Sequence, residues 1–112
     1  MTTPTLSKEN TFSIIGEFKR RIEKLYKGDL TRIVLYGSWA RNESTLHSDI
    51  DLAVFLQGDI LPGREIDRMI DIIDEFNLKY DVLLSILPIS ESIFLKLNSP
   101  LYRNIKKEGI QI

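Results

Sequence analysis

Cysteine is absent from this 112-residue sequence, and histidine occurs once. No disulfide framework, thiolate metal site or thiolate nucleophile is available, and a histidine-rich zinc centre is excluded. An excess of basic charge is missing too: Lys and Arg total 15 against 16 Asp and Glu. Dedicated nucleic-acid binders carry a clear basic surplus, so direct nucleic-acid binding is not expected. No apolar run approaches the roughly 18 residues of a membrane span. The opening "MTTPTLSKEN" also lacks the apolar core of a signal peptide. A cytoplasmic protein without membrane contact is expected. Internal repeats, low-complexity segments and linkers are lacking as well, and the length favours one domain over residues 1–112, with 1–7 frayed.

The residues that are present alternate between helical and strand patterns. Phe12, Ile15, Phe18, Ile22 and Leu25 recur at spacings of three and four, predicting a helix from about Ser7 to Lys27 that stops at Gly28. "TRIVLYG" (31–37) reads as a buried strand. "SWARNE" is expected to begin one or two helical turns with Ser38 as N-cap, and residues 42–48 read as loop. "DIDLAVFLQG" is a second strand. Ile66, Met69, Ile70, Ile73 and Phe76 mark one face of a helix over 64–79. "DVLLSIL" (81–87) is a third strand, expected to stop at Pro88. "ISESIFLKL" and "PLYRNIKKEG" give two shorter helices, Pro100 suiting the first turn of the last and Gly109 its end. This order predicts an α/β (α+β) domain, helices packed on a small sheet.

One stretch carries possible chemistry: "YGSWARNESTLHSDIDL", residues 36–52. Strand side chains alternate faces, so Asp49 and Asp51 share one while Ile50, Leu52 and Val54 enter the core. Two carboxylates about 6–7 Å apart repel unless a cation lies between them, and a hard divalent ion with oxygen ligands suits the pair. Pairs of such ions recur where phosphoryl or nucleotidyl groups are displaced in line. Gly37 at a strand end lets the backbone approach a ligand, and unpaired N–H groups after Ser38 suit phosphates. Arg41 is placed to reach a phosphate or the aspartate loop. Asp81 is the candidate third carboxylate, as metal ligand, general base or both.

Gly37-Ser38, ten residues, then Asp49-x-Asp51 resembles the signature of the DNA polymerase beta-type nucleotidyltransferase superfamily. The wider stretch "YGSWARNESTLHSDIDLAV" is similar to its minimal branch, the antitoxins paired with HEPN-domain ribonuclease toxins. The resemblance implies the nucleotidyltransferase fold with a small mixed sheet. It implies triphosphate binding at Gly37 and Ser38, and magnesium, as two ions, at Asp49 and Asp51, with Asp81 as third carboxylate. It further implies ATP as co-substrate and transfer of AMP to a tyrosine of a HEPN toxin, which is thereby neutralised. Two alternatives stay open: neutralisation by binding alone, and modification of a small molecule.

Other features have plainer readings. Arg41 suits a structural salt bridge as well as a phosphate. His47 reads as a loop residue and Trp39 as helix-surface packing. The stripe Asp67, Asp71 and Asp74 reads as a solvated helix face. Lys106 and Lys107 complement a helix C-terminus.

Overall fold

The apolar run from Ile50 to Leu56 is buried along most of its length, and the other elements assemble around it. The computed structural model describes residues 8–43 and 49–112. Its elements are α1 (Lys8–Tyr26), β1 (Leu30–Tyr36), β2 (Ile50–Leu56), α2 (Pro62–Tyr80), β3 (Leu84–Ser90), α3 (Glu91–Lys96), α4 (Pro100–Glu108) and β4 (Ile110–Gln111), with a 3-10 turn at Lys27–Asp29. The strand order is β3-β2-β1-β4. β1 runs antiparallel to β2 and to β4, while β2 is parallel to β3, so the sheet is mixed.

Alternation within the strands divides the core in two. Ile33, Leu35, Ile50, Leu52, Val54 and Leu56 face α1 and α2 and join Ile15, Phe18, Ile22, Met69 and Phe76 in the larger cluster. Phe18 and Phe76 meet edge to face, with ring centroids 5.5 Å apart. Val34, Ala53, Phe55 and Ile89 line the other face and pack on Phe94 of α3 and Ile105 of α4. Each fully buried large side chain contributes about 1.5–3 kcal/mol of transfer free energy. β2 is therefore apolar on both faces, except at Asp51.

Both long helices form where the apolar spacing predicts them, with one residue out of place. Met69, Ile73 and Phe76 are buried, but Ile70 is 40% exposed because it lies one helical step off the stripe. The stripe Asp67, Asp71 and Asp74 is exposed throughout, as a solvated face should be.

Three local expectations are corrected. Residues 38–42 form hydrogen-bonded turns and no helix. α2 continues to Tyr80, so the third strand begins at Leu84 and not at Asp81. Pro88 does not end that strand but lies inside it, paired in register with Val54. β3 is an edge strand, the position where a proline's missing N–H need cost no ladder bond. The short strand β4 was not expected, because two residues after Gly109 carry no periodicity to read. The start expected at Ser7, the segment 1–7, and residues 44–48 with His47 all lie outside the described residues.

Candidate functional site

β1 ends at Tyr36 and is followed by Gly37, whose φ of +75° lies in the left-handed region. The chain then turns on itself. The Arg41 N–H donates to the Gly37 carbonyl at 3.1 Å, and the Glu43 N–H to the Ser38 carbonyl at 2.9 Å. The antiparallel register sets Tyr36 opposite Asp51, which brings the next residue, Gly37, to the Asp51 side chain. A Cβ at Gly37 would collide with Asp51 Oδ2 and lie 3.1 Å from its Cγ. Glycine is needed here twice, for its backbone angle and for the space that the carboxylate occupies.

Asp49 stands exposed just before β2, and Asp51 is half-buried one residue into it. Burial first, then the charge of Asp49, raises the Asp51 carboxyl above its ordinary value, and Arg41 opposes them. Burial and then the charge of Asp51 likewise raise the Tyr36 phenol. This carboxylate pair lacks enough positive charge of its own. Arg41 gives only part of it, because its guanidinium is held by Glu43 at 3.0 Å and Glu108 at 3.3 Å. An oxygen-only donor pair in need of a cation fits a hard divalent ion.

The structure thus brings Gly37, Ser38, Asp49 and Asp51 to one end of the sheet, with Arg41 beside them. Asp81 does not join them. It caps the C-terminus of α2 in a left-handed conformation (φ 52°, ψ 48°) and its side chain is exposed. Among the described residues no group of three or more His, Asp or Glu side chains is arranged to hold a metal ion. β2 and β3 run parallel and Ile50 donates to the Leu83 carbonyl, so Asp81 still lies toward the same sheet end. Trp39 packs half-buried against the larger core.

Two neighbours of the site were not found by reading the sequence. Glu108 is 67 positions from the arginine it pairs with, and no local pattern announces such a contact. Tyr36 faces Asp51 only through the β1–β2 register, whose connecting loop gives no length rule to fix it.

Residues 15–112 match the nucleotidyltransferase domain family, and the chain belongs to that family. It is a nucleotidyltransferase by this membership. Among its relatives, "Putative protein adenylyltransferase MJ0604" of Methanocaldococcus jannaschii is 35% identical over 101 residues, covering 89% of this chain and 95% of that protein. A second protein of that organism with the same description, MJ0141, is 36% identical over 72 residues, 64% of this chain and 72% of its own length. The fold is shared with a toxin-antitoxin crystallised with AMP-PNP, at TM-score 0.62 and 19% identity, over 95% of this chain and 72% of that one. The toxin-antitoxin MntA-HpeT in its D39ED41E mutant form gives TM-score 0.55 and 15% identity, over 95% and 71% of the two chains. No helix among the described residues is long and apolar enough to cross a membrane.

Proposed function

We propose that this nucleotidyltransferase transfers AMP from Mg-ATP to a hydroxyl of a partner protein, a tyrosine of a HEPN-domain toxin, and thereby acts as its antitoxin in the cytoplasm. The observation that carries the reading is the close approach of Gly37 to the Asp51 carboxylate, which supports reading the proposed phosphate-binding turn and the acidic pair together. The protein adenylyltransferase relatives support AMP as the transferred group, and the toxin-antitoxin fold neighbours support a toxin as recipient.

In this reading Asp49 and Asp51 hold magnesium, which when bound neutralises charge on the phosphates. Ser38 and the backbone of the Gly37 turn hold the triphosphate, and Arg41 turns from its glutamates toward it. The acceptor oxygen attacks the α-phosphorus, the bond from that phosphorus to the bridging oxygen breaks, and pyrophosphate leaves. Asp81 is proposed as the third carboxylate, as a further metal ligand, as the base that takes the hydroxyl proton, or both. Positioning and charge stabilisation supply most of the rate.

The rival is an antitoxin that only binds. Asp49→Asn with Asp51→Asn separates the two, because it removes the ionised pair and changes little of the surface. Co-expression with the toxin should show neutralisation lost while the complex still forms. Full neutralisation by the double variant would favour occlusion instead.

A further inference from the structure

The chain leaves β3 at the end of the sheet far from Gly37 and comes back along the face that carries Asp51. α3 begins just after Ser90, which lies opposite Leu56 at the far end of β2. α4 ends at Glu108, whose carboxylate meets Arg41 at 3.3 Å beside the Gly37 turn. Phe94 of α3 and Ile105 of α4 pack on Val34, Ala53 and Phe55, residues on the same face as Asp51. Phe94 also meets Tyr102 of α4, with ring centroids 5.1 Å apart. The two helices thus make one surface, and it ends at the acidic pair.

The outer side of that surface is apolar and cationic together. Nine large apolar side chains are exposed among the described residues, and four of them fall within nine positions: Ile93, Leu95, Leu97 and Leu101. Leu95 is 68% exposed and Leu97 52%. Between Glu91 and Glu108 the sequence has no acidic residue, in a chain whose net charge is −1. Lys96, Arg103, Lys106 and Lys107 are all exposed there, and none enters an ion pair among the described residues. Leu95 and Lys106 border one hollow, so the apolar and cationic groups adjoin. Helix ends account for lysines. They do not account for a run of leucines left in water, which marks an interaction surface.

We infer that the α3–α4 surface is where the acceptor protein docks, and that it receives an acidic segment with apolar side chains between its carboxylates. This rests on the transfer reading above and adds to it the place where the acceptor sits. The opposite face of the sheet is covered by α1 and α2, so a protein that brings a hydroxyl to Asp51 from the open face lies against α4. Burial of the leucines supplies affinity, while the unpaired cations orient the carboxylates and speed encounter. A nucleic acid would use the cations and leave the leucines wet. An anionic bilayer lying flush on both helices would shut the acceptor away from the end of α4.

The test measures binding of the proposed HEPN toxin to the intact protein, with AMP transfer followed in parallel by intact mass. Leu95→Gln with Leu97→Gln, and separately Lys106→Glu with Lys107→Glu, should each weaken the complex about tenfold or more. Mg-ATP affinity and the urea midpoint should stay native in both. Added salt should weaken the wild-type complex, and weaken the lysine variant less. Leu78→Gln, which removes an 85% exposed leucine from α2, should change nothing. The inference is overturned if both double variants, still folded, bind the toxin as the wild type does, or if Leu78→Gln weakens binding equally. It is also overturned if the substitutions act instead on self-association, on phosphatidylglycerol vesicles or on single-stranded RNA while toxin binding is untouched. Failure of the transfer reading looks different. A complex sensitive to these substitutions, with no AMP on the toxin, keeps the docking surface and removes the transfer. AMP transfer and binding at wild-type levels in both variants keeps the transfer and removes the surface.

Discussion

Gly37 and Asp51 are packed against each other across the β1–β2 pair, with the carboxylate occupying the space that a side chain at position 37 would need. Gly37→Ala therefore meets two penalties, a left-handed backbone at φ +75° and a collision with Asp51. A loss of about 1–2 kcal/mol in stability is expected from the backbone term alone. Urea unfolding measures that loss, and isothermal titration with Mg-ATP should show nucleotide affinity falling about tenfold or more. A variant with native affinity would mean that the turn and the acidic pair are not one site.

The electrostatics of Asp51 predict an inverted pH effect. Its folded-state carboxyl is raised above the ordinary aspartate value of about 3.9, by burial first and by Asp49 second. Folding therefore favours the protonated form, and this group's contribution to stability is lost as pH rises through the raised value. Without divalent ions, Asp51→Asn should match the wild type in acid and exceed it in stability near neutral pH. Urea midpoints across that range check the sign. An Asn variant that is the weaker protein at neutral pH contradicts the account of an under-compensated pair.

A buried polar pair fixes α1 to α2. The Tyr26 hydroxyl donates to Glu65 Oε1 at 2.8 Å, and Glu65, only 6% exposed, also pairs with Arg68 at 3.3 Å. Burial, then the Glu65 contact, pushes the Tyr26 phenol well above its usual range. Tyr26→Phe removes the donor and leaves a buried carboxylate short of a partner, at a cost of about 1–3 kcal/mol. Chemical denaturation measures it; a change within about 0.5 kcal/mol would show that Arg68 alone satisfies Glu65.

Arg41 and Glu108 have opposite expected effects. Their ion pair is partly exposed, so Glu108→Gln should leave stability within about 0.5 kcal/mol. Nucleotide affinity should then hold or improve, because Arg41 is freed toward the triphosphate. Arg41→Ala should instead weaken Mg-ATP binding about tenfold. Equal losses in both variants would show that Glu108 positions Arg41 and does not compete for it.

Much of this was legible in the sequence, because most of the signals are local. The stripes of α1 and α2 follow from apolar spacing, and the burial of Ile50, Leu52 and Val54 on one face follows from strand alternation. What failed depended on neighbours. Residues 38–42 could be read as a helix start from their composition, yet the chain bends back under Gly37 instead. Asp81 reads as the opening of a strand until α2 is seen to extend over it. Pro88 reads as a stop unless β3 is known to be an edge. The Arg41–Glu108 pair joins distant parts of the chain, which no window of sequence can show.

Intact-mass spectrometry of the proposed partner toxin, after incubation with this protein and Mg-ATP, tests the central claim most directly. The account predicts an AMP-sized mass increase on the toxin, mapped to a tyrosine, released with pyrophosphate and absent with Asp49→Asn. An unchanged toxin mass, in a sample where ATP binding and complex formation are both confirmed, would contradict it.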